Sequence, residues 1–282
     1  MVYVLLSVLC SVLVSVLLKL ARRAGVDVGQ AVAWNYVVAA ALAALVLRPP
    51  LDALRQPGAP WLALAGLGVL LPTIFLALGA SVRHAGIVRS DAAQRLSLLV
   101  SLLAAFVLFG QRLDAAKAAG CTLGLLALAG MVWRTERGGA GEGMARWGYP
   151  LLVFAGFGAI DILFKRVAAA GVPLGAALLA MFALALVVAF ATELARRTRF
   201  GWRGLAGGVL LGLCNFGNIL FYLRAHRALP HDPARVFASM NLGVVALGAL
   251  VGLALFRERL GRVNLAGLAL ALLAVALLTR GA

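Results

Sequence analysis

Two acidic residues lie inside long apolar stretches of this sequence, and each is followed four residues later by a basic one. Asp161 precedes Lys165, and Asp91 precedes Arg95. Positions i and i+4 share one face of a helix, so each pair can meet. A carboxylate beside a cation in apolar surroundings can bind a charged ligand group or carry a proton, or it can form a neutralised pair that only orients its helix.

For Asp161 and Lys165 both interpretations stay open. Asp161 lies close to the middle of its apolar run, about 5 Å from the centre at roughly 1.5 Å per residue. It is the carboxylate that we first expect to carry a proton. Lys165 can instead extend its ammonium group along its alkyl chain to the nearest polar boundary.

Arg95 keeps its charge under all ordinary conditions. It therefore needs either a wet cavity, where it can bind an anionic group through two parallel hydrogen bonds, or a fixed partner in Asp91. We favour the cavity.

Uncharged polar residues form a second set of candidates. Asn215, Asn218 and Tyr222 follow one another at spacings of three and four, which places them in one stripe of a helix. Gln94 adjoins Arg95, and Asn241 occupies the corresponding place later in the chain. Such side chains either hydrogen-bond a ligand or link neighbouring helices. With the four charged residues they are our predicted substrate-binding or coupling set, and we predict no catalytic residue and no metal ligand.

The composition shows which elements must position these residues. Of 282 residues, 63% are hydrophobic and only 13% are charged, and the mean hydropathy is +1.02. An average soluble domain has about 45–50% apolar and about 25% charged residues. A single soluble core is excluded, so the chain must lie largely in lipid.

The charge balance does not indicate a nucleic-acid-binding protein. Lys and Arg number 26 against 10 Asp and Glu, but the basic residues fall in short clusters between apolar runs. Basic residues in such places contact anionic headgroups and set the topology. We expect the lipid bilayer and a small-molecule substrate as partners, no nucleic acid and no cofactor, and the sequence leaves the oligomeric state open.

Charged residues, prolines and glycines divide the chain into ten apolar runs near the length of a membrane-spanning helix. They cover about 2–20, 29–47, 61–82, 88–109, 115–133, 148–168, 174–194, 203–224, 234–256 and 263–279. Patterns of the form Gly-x-x-x-Gly, such as Gly208 with Gly212 and Gly248 with Gly252, permit close helix contacts.

The middle of the chain holds its longest polar stretch, and the two sides of it resemble each other. A shift of 146 places Lys19 on Lys165 and Gly25-Val26 on Gly171-Val172, and a shift of 147 places residues 109–113 on 256–260. The sequence thus predicts a first repeat at 1–137, a glycine-rich linker at 138–146 and a second repeat at 147–282. Because five is an odd number of spans, the second repeat would enter the membrane from the opposite side.

The sequence Phe-Gly-Gln-Arg-Leu at 109–113 and Phe-Arg-Glu-Arg-Leu at 256–260 end the fourth and ninth runs. Together with the ten runs in two halves, they resemble the EamA-type members of the drug/metabolite transporter superfamily. The familiar form of that signature is Gly-Glu-Arg-Leu, so Gln111 and Arg257 are departures. The resemblance implies an all-α integral membrane protein with ten transmembrane helices in two inverted five-helix repeats. It also implies a cavity lined by runs one to four and six to nine, with runs five and ten peripheral.

Two indicators disagree about orientation. Counted together with the adjoining parts of the runs, Arg95 included, the loops that follow the odd-numbered runs carry 16 of the 26 Lys and Arg residues. This count places those loops in the cytoplasm and both termini outside. The resemblance implies cytoplasmic termini.

We therefore expect a secondary active transporter that moves a small polar metabolite by alternating access, with proton coupling as an option. The alternative is a flippase for a lipid-linked or lipid-like anion. An intramembrane enzyme is disfavoured because the chain has no HExxH or GxSxG motif. The expected location is the inner membrane of a bacterium, with multiple spans.

Overall fold

A computed structural model describes residues 1–21, 23–56, 58–97, 99–100, 115–132, 140–228, 233–258 and 260–280. These ranges contain helices and no strand. The helices are α1 (Val2–Ala21), α2 (Val28–Leu42), α3 (Asp52–Arg55), α4 (Trp61–His84), α5 (Ile87–Leu96), α6 (Ala115–Val132), α7 (Ala140–Ala169), α8 (Leu174–Ala195), α9 (Trp202–Ala228), α10 (Pro233–Leu250) and α11 (Arg262–Arg280). Single π-helical turns extend α2 through Ala43–Leu47 and α10 through Val251–Leu255.

Within the described ranges, five helices are long and apolar enough to cross a bilayer. They are α1, α2 with its extension, α4, α8 and α9, with 20 to 27 residues each. At about 1.5 Å per residue, 20 residues span the roughly 30 Å of hydrocarbon. Apolar segments of this length favour lipid, and in lipid a helix forms because it satisfies every backbone N–H and C=O within the segment.

Two of the sequence predictions concern regions that the structure describes only in part. The signature at 109–113 lies outside the described residues. Helix α7 begins at Ala140, so residues 140–146 of the stretch predicted as a linker are helical, whereas 138 and 139 are outside the described ranges. The long apolar segment after Trp147 continues this helix, and isolated glycines at its start do not end it.

The chain forms two compact units, and each draws on both halves of the sequence. The first unit comprises Met1–Lys19, Ala77–Gly158 and Gly217–Ala282, and the second comprises Leu20–Leu76 and Ala159–Phe216. This spatial division cuts across the predicted repeats, which concern a duplication of the sequence.

The first unit has a core between α5, α6, α10 and α11. Its members are mostly alanine, valine and leucine, such as Ala92, Ala271 and Ala274, which are fully buried. Helices α6 and α11 approach closely, because a Cβ atom on Gly130 would lie 3.2 Å from the Cα atom of Gly267. A second cluster joins valines of α1 to Ala225 on α9 and Met240 on α10.

The second unit centres on α2, which packs on α8. Tyr36 of α2 is only 1% exposed, and its ring lies 6.4 Å from that of Phe75 and 6.2 Å from that of Phe182. Glycines of α9 lie against the same helix. The Cβ atom that Gly208 lacks would be 2.8 Å from the carbonyl oxygen of Ala31, so the predicted close contact at Gly208 is confirmed.

Candidate functional site

Polar residues recur at every fourth position of α1. They are Ser7, Ser11, Ser15 and Lys19, and this spacing puts them on one face of the helix at steps of about 6 Å. The three serines are 0%, 8% and 2% exposed. Each of the four side chains makes a hydrogen bond to a residue distant in sequence, so α1 carries a polar stripe through the first unit.

Asp91 of α5 meets the middle of this α1 stripe. The hydroxyl of Ser15 donates to Oδ1 of Asp91 at 2.6 Å, and Asp91 is 2% exposed. The other carboxylate oxygen lies against Gly248 of α10, at the place where a Cβ atom would be. Among the described residues this Oδ2 atom has no hydrogen-bond partner. The carboxylate is therefore held on one side and retains an acceptor for a proton or a donor group.

Arg95 follows one turn later on the same helix. Its Nη2 donates to the hydroxyl of Ser11 at 2.7 Å, and its Nη1 donates to Oδ1 of Asn241 at 3.4 Å. The guanidinium thus links α5 to both α1 and α10. The predicted residues Asp91, Arg95 and Asn241 come together here, and Ser11 and Ser15 complete the cluster.

Glu258 holds the start of α5. Its Oε1 accepts hydrogen bonds from the backbone N–H of Ile87 at 2.7 Å and from Nζ of Lys19 at 3.1 Å, and its Oε2 accepts from the N–H of Val88 at 3.3 Å. A carboxylate at a helix N-terminus satisfies unpaired N–H groups and complements the helix dipole. Gly86, with φ of 94°, leaves the room that this carboxylate occupies.

Lys19 completes this anchor from α1. Besides its ion pair with Glu258, its Nζ donates to the carbonyl of Val82 at 3.2 Å. The same Nζ lies 5.9 Å from the centre of the Phe256 ring. The anchor therefore joins the ends of α1, α4 and α5 to the segment after α10, which fixes α5 where Asp91 and Arg95 can reach α1.

The predicted stripe on α9 has contacts in both units. In the first unit, Ser7 donates to the carbonyl and to Oδ1 of Asn218 at 2.9 and 2.7 Å, and the Tyr222 ring packs edge-on against His226. In the second unit, Asn215 donates through its side-chain amide to Oδ1 of Asn35 at 3.1 Å. These amides link helices, as one of the two interpretations expected.

The remaining predicted residues lie elsewhere. Asp161 and Lys165 belong to α7 and to the second unit, Asp161 half-buried and Lys165 exposed. Exposure of Lys165 agrees with an ammonium group that extends to a polar boundary. Gln94 is half-buried on α5, and its backbone carbonyl accepts a hydrogen bond from the hydroxyl of Ser97.

The sequence interpretation overlooked the serines of α1 and the pair of Lys19 with Glu258. The signal was available in the first case, because polar residues recur at 7, 11, 15 and 19. Serine is common as a small packing residue in membrane helices, which hides such a pattern. Glu258 belongs to the signature at 256–260, but the sequence did not indicate its partners, which are 171 and 239 positions away.

The cluster brings together the guanidinium of Arg95 and the carboxylate of Asp91 on α5, the hydroxyls of Ser11 and Ser15 on α1 and the amide of Asn241 on α10. Guanidinium groups bind carboxylates and phosphates, and the other groups can bind polar atoms of a solute. Within the described residues no group of three or more His, Cys, Asp and Glu side chains could hold a metal ion. The arrangement is suited to binding a polar solute inside a helical membrane protein.

Comparisons with known proteins identify a family of helical membrane proteins. Residues 1–133 match the model of the EamA-like transporter family. An uncharacterized protein of Haemophilus influenzae is 38% identical over 275 residues, which are 95% of this chain and 94% of that protein. A crystal structure, described only as that of a protein, aligns over 98% of both chains with a TM-score of 0.57 and 19% identity, which shows a shared fold.

The chain therefore belongs to the EamA-like transporter family, and the resemblance seen in the sequence is confirmed. It is an integral membrane protein, and members of this family are transporters and not enzymes.

Proposed function

We propose that the protein is a secondary active transporter that moves a small polar metabolite across the membrane by alternating access. The observation that carries this proposal is the cluster of Asp91, Arg95 and Asn241 with the serines of α1. Ions inside a membrane helix cost at least about 2.5–3.5 kcal/mol each at the bilayer centre. A purely structural contact between helices can be made without charge, whereas a buried guanidinium and carboxylate can bind charged or polar groups of a solute.

The proposed architecture has ten spans in two inverted halves. Contacts within the second unit support it. A Cβ atom on Gly29 would meet Oε1 of Glu193, and a Cβ atom on Gly175 would lie 3.6 Å from Cβ of Leu47. Gly175 is Gly29 shifted by 146 positions, and Glu193 is Leu47 shifted by the same amount. Reciprocal contacts of this kind are typical of two copies related by a two-fold axis.

The turns that precede these glycines support the same duplication. Gly25 and Gly171 correspond at the same shift, and both have positive φ, at 64° and 73°. Inverted repeats allow the two halves to exchange conformations and so expose a site to each side in turn. The correspondence between the two halves supports an alternating-access mechanism.

Two carboxylates are proposed as proton carriers if transport is coupled to a proton gradient. Asp161 is the residue that the sequence favours, and Asp91 lies in the cluster with one oxygen beside Gly248. A neutral amide at either position removes the titrating group and keeps the shape. Separate Asn variants therefore distinguish the two.

The test begins with purified protein in detergent, screened for thermal stabilisation by several hundred metabolites at pH 5.5 and 7.5. Any metabolite that stabilises is then offered to protein in liposomes under a pH gradient or a solute gradient. We expect Arg95→Gln and Asp91→Asn to lose both stabilisation by the metabolite and uptake. If the wild-type protein moves no solute under either gradient, the proposal is wrong.

Arg89→Gln is the matched control. Arg89 is on α5 as well, but its Nη2 donates to Oδ1 of Asn264 on α11 at 2.9 Å, away from the α1 stripe. The control should keep the metabolite response, whatever it does to stability. Equal loss in both arginine variants would mean that α5 is only being destabilised, which contradicts a binding role for Arg95.

We place the protein in the inner membrane of a bacterium, and its orientation can be decided by reporter fusions at each terminus. Stabilisation by lipids alone, abolished by Arg95→Gln, would instead support the flippase alternative.

A further inference from the structure

Five exposed arginines lie on two loops of the second unit. We call them the arginine patch: Arg23, Arg196, Arg197, Arg199 and Arg203. Arg23 is on the loop between α1 and α2, and the others are on or beside the loop between α8 and α9. The first of these loops contacts the start of α9, because a Cβ atom on Gly25 would lie 3.0 Å from Nη1 of Arg203.

A buried amide shapes this patch. Gln30 is 5% exposed, and its side chain donates to the carbonyl of Arg199 at 2.8 Å and accepts from the N–H of Gly201 at 3.0 Å. Thr198 donates its N–H to the carbonyl of Glu193 at 3.1 Å. The loop is thus held by hydrogen bonds on both sides of Arg199, and its guanidinium groups project from a fixed backbone.

Exposed aromatic side chains accompany the arginine patch. Trp202 is 74% exposed and Phe200 is 43% exposed. The Phe200 ring stacks on Phe190 at 5.7 Å, and the Arg203 guanidinium lies 5.8 Å from the centre of the Trp202 ring. Exposed Trp beside Arg is typical of the boundary between hydrocarbon and headgroups.

The charge of the patch is strongly positive. The acidic residues of the same segments are Asp27, which caps the N-terminus of α2, and Glu193, which is 1% exposed. Glu193 pairs with Arg196 at 3.2 Å. The arginines outnumber these carboxylates by five to two, so an anionic group is favoured at the surface.

We propose that the arginine patch binds the headgroup of an anionic phospholipid, and that a lipid with two phosphates, such as cardiolipin, binds more tightly than one with a single phosphate. A guanidinium binds phosphate through two parallel hydrogen bonds. Several of them on one rigid loop can hold two phosphates, while the acyl chains lie beside exposed apolar residues such as Phe200. The arginine patch shares no residue with the proposed solute cluster.

The test measures lipid binding to the full-length protein in neutral detergent by native mass spectrometry. The added lipids are cardiolipin, phosphatidylglycerol and phosphatidylcholine with matched acyl chains. We expect cardiolipin to bind most tightly and phosphatidylcholine least. The double variant Arg197→Gln with Arg199→Gln should weaken cardiolipin binding by about tenfold or more, given the attraction of each basic residue to anionic lipid.

The matched control is the double variant Arg224→Gln with Arg227→Gln at the end of α9, which removes the same charge from two exposed arginines outside the patch. It should change cardiolipin binding by less than about twofold, because those arginines are not held on the patch. Thermal unfolding without lipid verifies that both double variants are folded. An equal loss in the control, or equal binding of cardiolipin and phosphatidylcholine, would overturn the proposal.

Two further arms separate the possible sources of phosphate. If millimolar inorganic phosphate displaces cardiolipin, the patch binds soluble phosphate compounds and the lipid assignment is wrong. Arg95→Gln should leave cardiolipin binding unchanged; a loss there would place the lipid at the solute cluster and overturn the assignment to the patch.

Discussion

Helices α1 and α2 contact their neighbours by different means. In the first unit, α1 meets α5 through hydroxyls, a carboxylate and a guanidinium, as in the bonds of Ser15 to Asp91 and of Arg95 to Ser11. In the second unit, α2 meets α9 through glycine and packed side chains, as where Gly208 lies against Ala31 and Trp34. The contact of α1 with α5 is polar, whereas the contact of α2 with α9 is mainly a close approach of backbones, to which the bond of Asn215 to Asn35 adds one polar link.

Lipid explains why both kinds of contact are needed. Between membrane helices no hydrophobic driving force exists, so association depends on van der Waals packing and on interhelical hydrogen bonds. Hydrogen bonds at α1 can be exchanged for hydrogen bonds to a solute, which is why we place the transport chemistry there.

The most destabilising of these substitutions disrupts the contact of Gly208 on α9 with α2. Gly208→Val adds a branched side chain where a Cβ atom would already be 2.8 Å from the Ala31 carbonyl oxygen. We expect the free energy of unfolding to fall by about 3 kcal/mol or more, because overpacking forces the helices apart. Thermal unfolding in detergent measures the loss.

Gly201→Ala is the control for that substitution, because nothing lies within 4 Å of the Cβ atom it would add. It should unfold within about 0.5 kcal/mol of the wild type. Wild-type stability of Gly208→Val would show that the α2–α9 contact does not depend on close packing.

A second substitution removes the carboxylate of Glu258, which holds Lys19 and the start of α5. Glu258→Ala leaves the first N–H groups of α5 and the ammonium group of Lys19 without their carboxylate. We expect a loss of about 2 kcal/mol, from the cap together with the partly buried ion pair. Glu258→Gln keeps the shape and an acceptor, so its loss should be smaller in the same unfolding measurement. Equal losses would show that the carboxylate charge contributes nothing.

A smaller effect is expected at the N-terminal end of the α1 stripe, where Ser7 bonds to Asn218. Ser7→Ala removes the hydrogen bonds to Asn218 and leaves the packing of α1 unchanged. The expected loss is about 0.6 kcal/mol, the average for such bonds between membrane helices. A loss of several kcal/mol would mean that the stripe holds the helices together as firmly as the glycine contact does.

The smallest expected effect has the opposite sign. Arg257 has φ of 51°, a left-handed conformation that glycine adopts without strain, and it stands where the familiar family signature has glycine. Arg257→Gly should raise the free energy of unfolding by about 0.5 kcal/mol, since relief of strain exceeds the added entropy of the unfolded chain. A lower thermal midpoint would contradict this explanation of the signature glycine.

Much of the fold could be predicted because its signals are local. Apolar runs of about 20 residues predict membrane helices, since each backbone N–H and C=O must be satisfied within the segment. The ten apolar runs in two halves, with the signatures at 109–113 and 256–260, led to the family, which the comparisons confirm. Asp91, Arg95 and Asn241 were predicted as site residues because polar groups inside apolar runs are costly; their proximity is a finding of the structure, and their role in transport stays a prediction.

By itself, the sequence determined the membrane class, the apolar runs and the polar residues that these runs carry. Only the tertiary structure decided which of those residues meet. Helical periodicity defines a face within one segment, but it does not say which other segment packs on that face. The capping of α5 by Glu258 and the bonds from the serines of α1 join residues 76 to 211 positions apart, and such partners are chosen by packing and hydrogen bonding between helices in lipid.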